Sequence, residues 1–339
     1  MWDLESNMRT ITTREYDRLL NKIWWPSVMK TLPKSASKRE RVTFLLDTAR
    51  IKDTDKGGHI PFDEIVSQTT EVEFGNAAAG LKIKKENLDD IDGQGIDFAA
   101  HWSRQMAAYA AYWPQKKLAK AILANGKTYD TKNFFATDHP HNPFRTRSGT
   151  FANLFTGAAS GAYPGACKID ASVTVNEAVD NLAKVLAYIG GYIKMPNGED
   201  PRNLQVSKII GPPAMAARLQ QITKAKFIAQ LAATGSAAGG SGDVEAVIGA
   251  FGLGEPIIAP ELGAAYGGSD TDYYLAMEDV TTAEMGAFNW VPREDFSIVY
   301  YGPQTEAQLA RMREFHWYTE GRYGLLNGHP YMLHKVRSV

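Results

Sequence analysis

Asn125-Gly126-Lys127-Thr128-Tyr129-Asp130-Thr131-Lys132-Asn133-Phe134-Phe135-Ala136-Thr137-Asp138-His139-Pro140 joins two polar turns to a Phe-Phe pair and an Asp-His-Pro stop. Before it, Phe98, Trp102, Met106, Tyr109 and Trp113 step by four, four, three and four residues, which puts all five on one stripe of an α-helix. Pro114 removes a backbone donor, so the pattern predicts a kink or break there, with Leu118, Ile122 and Leu123 forming a second short stripe beyond it. From Asp97 to Ala124 such a helix spans roughly 42 Å at 1.5 Å per residue. The decisive reading is therefore a long spine helix delivered into a turn. Phe134 and Phe135 are placed to anchor that turn, while Asp138 and His139 are placed to pin it by side-chain to backbone hydrogen bonds.

The same stretch holds the chain's best case for chemistry. His139 and His141, in Asp138-His139-Pro140-His141, are candidate metal ligands, and with nearby carboxylates they keep open a cytoplasmic metal-dependent hydrolase. Two histidines across a proline lack the helical H-E-x-x-H context, however, and the remaining histidines are scattered. There is no G-x-S-x-G elbow and no Cys-His pairing to supply a nucleophile. Adjacent acids such as Asp89-Asp90 and Glu278-Asp279 read as solvated turns. The glycine-rich run from Gly235 to Asp243 lacks the G-K-[ST] ending of a phosphate cradle and reads as a surface loop. The expectation is a non-enzyme with no cofactor and no metal.

Composition narrows the classes. With 339 residues, 44% of them hydrophobic and 11% aromatic, the chain can bury a sizeable core in two or three domains. A formal net charge of −1 gives no overall pull toward nucleic acid or anionic lipid, so any such contact is local. The single cysteine, Cys167, excludes an internal disulfide and a cysteine-rich zinc site, and suits a reducing cytoplasm. No apolar run reaches the length of a membrane span, and Met-Trp-Asp-Leu-Glu does not open like a secretory leader.

Outward from the decisive stretch, the elements continue in both directions. Toward the N-terminus, Thr12 and Glu15 form a capping-box pattern, followed by Tyr16, Leu19, Leu20, Ile23 and Trp24 on one apolar face until Pro26. A basic segment from Lys34 to Arg41 follows, so this helix is expected on an arm, its apolar face covered by a neighbouring molecule or by its own domain. Residues 42–46, 65–74 and 79–83 pattern as strands around a polar cluster at 53–59, the signature of an extended hairpin that is marginal alone. Toward the C-terminus, a small-residue crossing from Ser148 to Gly165 leads to an amphipathic helix over 176–189, ended by Gly190-Gly191. Next comes a buried strand, Val206 to Ile210, broken by Gly211-Pro212-Pro213 before another helix begins at Ala214.

Together these features carry a resemblance. The turn resembles the D-G-x-x-F-F-x-x-x-H-P signature of the Mu-like phage major head subunits. Pro212 and Pro213 match that family's V-P-P element, Pro260-Glu261-Leu262 its P-E-L turn, and Phe315 to Gly324 its terminal strand and Gly-Arg turn, in order over roughly residues 85 to 335. The first 80 residues match only in plan. The resemblance implies an α+β chain of the Hong Kong 97-type capsid fold, with an N-terminal arm (1–41), an extended β-hairpin loop (42–84), a peripheral domain on the spine helix (85–165), an axial domain (166–280) and a return to the peripheral domain (281–339). It implies a major capsid protein of a tailed phage or prophage. Hexamers and pentamers of itself would then build an icosahedral head, with a scaffolding protein, a portal, a decoration protein and weakly contacted double-stranded DNA as partners and no membrane. The expected location is the virion, with assembly in the host cytoplasm. A virion decoration or tail component remains a further alternative. Lys52 and Lys56 lie in the loop where some relatives carry a cross-linking lysine.

Overall fold

A helix that must bury one face for eight turns needs small residues as well as large ones, and α2 (Gln94–Ala124) uses both. In the computed structural model, which describes residues 2–36, 39–47, 66–86, 94–144, 148–157, 163–165, 167–224, 253–280, 285–301 and 305–337, α2 runs unbroken through Pro114. The proline removes one i to i−4 bond, and burial of Ala111 and Leu118 on either side, both at 0% exposure, offsets the loss. Of the expected kink or break at Pro114, the break does not occur. The expected stripe is corrected: Trp102 and Met106 are buried, but the line then runs through Ala107, Ala110 and Ala111, leaving Tyr109 58% exposed. A step of four rather than three from Met106 selects alanine, whose small side chain lets neighbouring elements approach the helix closely. The side chain of Phe98 lies outside the described residues.

The chain gathers into two compact units. The first comprises Met1–Glu40, Glu71–Leu118 and Asn289–Leu326. Its four-stranded sheet has the order β1 (Met29–Thr31), β11 (Phe288–Tyr301), β12 (Glu314–Asn327), β4 (Phe74–Lys84). β4 pairs antiparallel with β12 from Glu314↔Lys84 to Gly324↔Phe74 and forms the sheet's edge. Residues 74–84 are therefore not the returning arm of the hairpin. The hairpin pair is β2 (Glu40–Asp47) with β3 (Val66–Val72), and its expected tip at 53–59, with Lys52 and Lys56, lies outside the described residues. Period-two alternation fits either pairing, so the choice of partner was not legible. The core under this sheet joins Trp102 and Met106 of α2 to Met8, Ile83, Ile298, Phe315 and Trp317.

Met8 belongs to α1 (Trp2–Leu20), which starts ten residues earlier than the capping-box pattern indicates. Thr12 lies inside the helix, where its hydroxyl donates back to the Met8 carbonyl at 2.8 Å, as Thr13 does to Arg9 at 3.1 Å. A Thr-x-x-Glu pattern cannot tell an N-cap from such back-bonding.

The second unit comprises Arg41–Thr70, Ala119–Phe288 and Asn327–Val339. Its five-stranded sheet has the order β7 (Leu154–Phe155), β13 (Leu333–Val336), β10 (Tyr273–Asp279), β8 (Leu204–Gly211), β9 (Ile257–Ile258). β10 is antiparallel to both neighbours, while the outer pairs β13 with β7 and β8 with β9 are parallel. As a central strand, β10 buries Tyr273, Tyr274, Leu275 and Ala276 at 2% exposure or less. α3 (Val175–Tyr192) is fixed at its start by a capping box: the Glu177 N–H donates to the Thr174 hydroxyl, and the Thr174 N–H to the Glu177 carboxylate at 2.8 Å. It buries Ala178, Val179, Leu182, Val185, Leu186 and Ile189. Gly190 and Gly191 do not end it; the last turn carries them through to Tyr192, and open space lies where their side chains would be. α4 (Ala216–Lys224) follows β8, and α5 (Glu306–Met312) precedes β12 in the first unit. The glycine-rich run at 235–243 lies outside the described residues.

Candidate functional site in the turn and the arm

The turn is built by hydrogen bonds that begin where α2 ends. Asn125 adopts φ 49°, the left-handed conformation that asparagine tolerates at a helix C-terminus, and so reverses the chain. Its side-chain amide then pairs with Phe135 as a strand would, accepting from the Phe135 N–H at 2.6 Å and donating to the Phe135 carbonyl at 3.2 Å. The Phe134 N–H donates to the Gly126 carbonyl at 2.8 Å. This closure drives both rings inward. Phe134 is 0% and Phe135 4% exposed, and Phe134 stacks on Phe288 with centroids 4.5 Å apart.

His139, fully buried, sits at the centre. Its Nδ1 lies 2.6 Å from Asp130 Oδ2 and its Nε2 lies 3.1 Å from the Phe134 carbonyl. A carbonyl only accepts, so Nε2 is the donor there; with Asp130 ionised, both ring nitrogens face acceptors. Asp130 is further held by the Thr128 hydroxyl and, at 3.1 Å, by the Lys132 N–H. Burial pushes the Asp130 carboxyl upward, but the His139 bond and charge, with Thr128 and Lys132, outweigh it and hold the group below its usual range. His139 thus pins the turn by two bonds, one to the Phe134 backbone as expected and one to the buried Asp130 carboxylate. Asp138 does not share the work: its carboxylate pairs with Lys132 at the surface.

Sequence reasoning missed two partners in this web. Asp130 stands within the quoted stretch, yet nothing in the pattern separates it from a solvated turn acid. Asn153 carries no signal at all; it accepts from the Ala136 N–H at 2.9 Å and donates to the Phe134 and Pro330 carbonyls at 2.6 and 2.8 Å. Through it the turn is tied to the C-terminal strands. For that reason residues 119–165, expected with the spine helix, cluster with the second unit.

The two histidines of the turn are held by the protein's own groups. Both nitrogens of His139 are occupied, and His141 Nδ1 accepts from the Lys194 N–H at 3.3 Å. Burial pushes His141 below its ordinary value, and its ring packs against Phe151. His141 borders a cleft of 650 Å³ lined also by Thr137, Ser148, Tyr188, Tyr192 and Lys194. No group of three or more His, Cys, Asp or Glu side chains gathers as a metal site among the described residues. Cys167 is buried, with its thiol pushed up to about 11 by that burial.

The arm residues separate into two sets. Tyr16, Leu19 and Leu20 are half-buried on the last turns of α1, whereas Ile23 and Trp24 lie beyond its end at 8% and 7% exposure. The Trp24 N–H donates to Gln115 Oε1 at 3.2 Å and Trp25 Nε1 to the Ala111 carbonyl at 3.3 Å, which fastens the segment to α2. Of the two covers open to this five-residue face, its own unit takes Ile23 and Trp24, as it takes Met8, while Tyr16, Leu19 and Leu20 stay half-buried. The hairpin is likewise anchored, since Phe44 is 0% exposed and meets Tyr129 and His329 at 5.2 and 5.3 Å. Pro212 is buried and leads into a 3-10 turn over Pro213–Met215, with Pro213 exposed. Among the described residues no helix is long and apolar enough to cross a membrane.

The phage capsid protein family matches residues 86–336, and the Mu-like prophage major head subunit gpT family matches residues 6–165. No protein with a curated description matches the sequence. Among solved structures, one from Mycobacterium phage Patience is similar at 10% identity, covering 99% of this chain and 88% of its own, with a TM-score of 0.51. The procapsid of bacteriophage JBD30 is similar at 12% identity over 99% of this chain and 75% of its own, TM-score 0.48. A virus-like particle from Pyrococcus furiosus is similar at 10% identity over 97% and 98%, TM-score 0.47.

Proposed function

This chain belongs to the phage capsid protein family, is the major capsid protein of a tailed phage and builds the Hong Kong 97-type shell of the virion; from that premise we infer how its parts assemble. The observation that carries the reading is the family match across residues 86–336, which includes α2, the buried turn and both sheets' central strands. We assign the peripheral role to the first unit and the axial role to the second, with the arm (1–41) and hairpin loop (42–84) lapping neighbours. With the units as the guide, the peripheral assignment takes 71–118 and 289–326 and the axial assignment 119–288 and 327–339, in place of the expected 85–165, 166–280 and 281–339. Hexamers and pentamers would close through the axial unit by heterologous contacts. The eleven residues of β4 support an assembly role, because the strand lies at a sheet edge and such an edge presents backbone donors and acceptors to an incoming strand. Tyr16, Leu19 and Leu20, half-exposed on α1, are the arm positions left to meet a neighbour. A scaffolding protein, a portal and a decoration protein complete the partners, packaged double-stranded DNA is contacted weakly and without sequence preference, and assembly takes place in the host cytoplasm.

The chain acts through surfaces rather than catalysis. His139, with both ring nitrogens hydrogen-bonded, and the buried Cys167 thiol support that assignment. Expression of the full chain with its scaffold, followed by electron microscopy, tests the reading. Closed shells or tubes are expected; a stable monomer by sedimentation velocity at high concentration, with no particles, refutes it.

A further inference from the structure

The cleft beside His141 lies wholly within the second unit, and no carboxylate of the described residues lines it. Its 650 Å³ falls within the roughly 300–1,000 Å³ of pockets that take a ligand or a few side chains. His141 sets its chemistry. Because Nδ1 accepts from the Lys194 N–H at 3.3 Å, the neutral ring carries its hydrogen on Nε2, and Nε2 has no hydrogen-bond partner among the described residues. Burial, joined by the charges of Lys194 and Arg202, keeps the ring neutral at pH 7. The ring is also fixed in place, packed on Phe151 with centroids 5.4 Å apart and tethered by the His141 N–H bond to the Gly149 carbonyl at 3.1 Å. Gly149, at φ 79°, keeps the donor accessible: a side chain there would begin 3.5 Å from Cδ2, the ring atom next to Nε2. Lys194 is half-buried on the same cleft and forms no ion pair among the described residues. The remaining wall is aromatic. Tyr163 Oη accepts from the Thr156 N–H at 2.9 Å and Tyr188 Oη from the Ala152 N–H at 3.1 Å, so backbone bonds hold both rings; Tyr192, 51% exposed, stacks on Tyr188 with centroids 5.4 Å apart.

We propose that this cleft docks an acidic peptide segment of a partner protein, with one Asp or Glu carboxylate seated between His141 Nε2 and the Lys194 ammonium and the apolar part of the peptide laid on Tyr188 and Tyr192. The Lys194 backbone already touches the ring, so its flexible stem reaches the Nε2 side. Charge and donor count favour this ligand. One cation and one neutral N–H, with no acid of the protein lining the cleft beside them, match a single carboxylate, which accepts at both oxygens. A phosphate dianion would leave one charge unmatched. The C-terminal end of α3 at Tyr192 weighs against any anion by less than one charge-assisted hydrogen bond gains, and it weighs about twice as heavily against two charges as against one. Tyrosines already held by the backbone lose little freedom on contact, which suits them to anchor a peptide. The site goes beyond the shell contacts assigned above and does not depend on them.

The test uses the full chain as unassembled subunit and a fluorescein-labelled hexapeptide alternating Glu and Leu, titrated by anisotropy at pH 7 and about 50 mM salt. Saturable binding is expected, and the same peptide with Gln in place of Glu should bind about tenfold more weakly. Lys194→Gln and His141→Phe should each weaken binding about tenfold, and Tyr192→Ala severalfold. Lys184→Gln, an equal loss of charge at an exposed position of α3, should leave it unchanged. Tyr192 is exposed and Lys194 half-buried, so those two variants decide the matter should His141→Phe fail to fold. No binding of the Glu-Leu peptide, equal binding of the Gln-Leu peptide, or a Lys184→Gln loss equal to that of Lys194→Gln overturns the proposal. So does stronger displacement of the peptide by inorganic phosphate than by glutarate at equal ionic strength, which would assign the cleft to a phosphate ligand. Loss of peptide binding on assembly into shells would assign it to a second copy of this chain and likewise overturn the partner.

Discussion

Replacing His139 by Ala is the sharpest probe of the buried turn. The substitution removes a ring that is fully buried, stacked on Phe151 with centroids 5.3 Å apart, and bonded to both Asp130 and the Phe134 carbonyl. Phe134 O keeps its bond from Asn153, so that loss alone amounts to about 1 kcal/mol. The larger effect is at Asp130, whose side chain is 2% exposed and retains only the Thr128 hydroxyl and the Lys132 N–H. Breaking a buried pair by removing one partner costs about 3–5 kcal/mol, because the remaining charge is stranded. We therefore expect His139→Ala to lower unfolding free energy by about 4 kcal/mol, against about 1 for a single neutral bond. Urea unfolding of the unassembled subunit, followed by tryptophan fluorescence at pH 7, measures it. Asp130→Asn in the His139→Ala background should recover part of the loss, giving a coupling of about 2 kcal/mol. Because the Asp130 carboxyl is depressed in the folded state, its contribution is complete above the unfolded carboxylate range and is lost as pH falls through the folded pKa. The wild-type and variant stabilities should accordingly converge in acid. A loss below 1 kcal/mol at pH 7, additive with Asp130→Asn, would refute the buried-pair argument and return His139 to a simple pin.

Phe134→Ala should cost about 3–5 kcal/mol in the same assay, since the ring is fully buried against Phe288, while His141→Ala should cost far less. Deleting residues 1–30 removes Met8, Ile23, Trp24, Trp25 and Met29 from the first unit's core, so thermal unfolding should lose cooperativity; a truncation that folds as sharply as the full chain would restore the free-arm view. Thr131, at φ 67°, stands where the Mu-like signature has glycine; Thr131→Gly should raise the urea midpoint by relieving about 1 kcal/mol of backbone strain, and a lower midpoint would count against strain there. His334 is held down to about 3 by burial, its Nε2 donating to the Tyr331 carbonyl at 2.9 Å and its Nδ1 buried without a partner. Its proton is bound more readily by the unfolded chain, so stability should be full above pH 6.5 and fall by about 1.4 kcal/mol per unit below it. His334→Phe should flatten that slope, and an unchanged slope would assign it to other groups.

What the sequence by itself determined is local or repetitive. The periodicity of α3 selected its six core residues, and the ring pair Phe134-Phe135 was legible as a buried anchor because consecutive aromatics after a helix stop must be covered. The order of motifs from Pro212-Pro213 through Pro260-Glu261-Leu262 to the terminal strand carried the family, and with it the α+β capsid fold. Only the tertiary structure decided pairings between distant segments. Whether residues 74–84 return along β3 or lie against β12 depends on a partner more than two hundred residues away, and alternation by two serves both. The exposure of Tyr109 depended on which neighbours approach the alanines of α2. Thr12 became a helix-interior residue because Met8 found a core built from strands at 298, 315 and 317. The charge on Asp130 acquired meaning only when His139 was folded against it, since a turn acid and a buried acid are the same letter until the solvent has been removed.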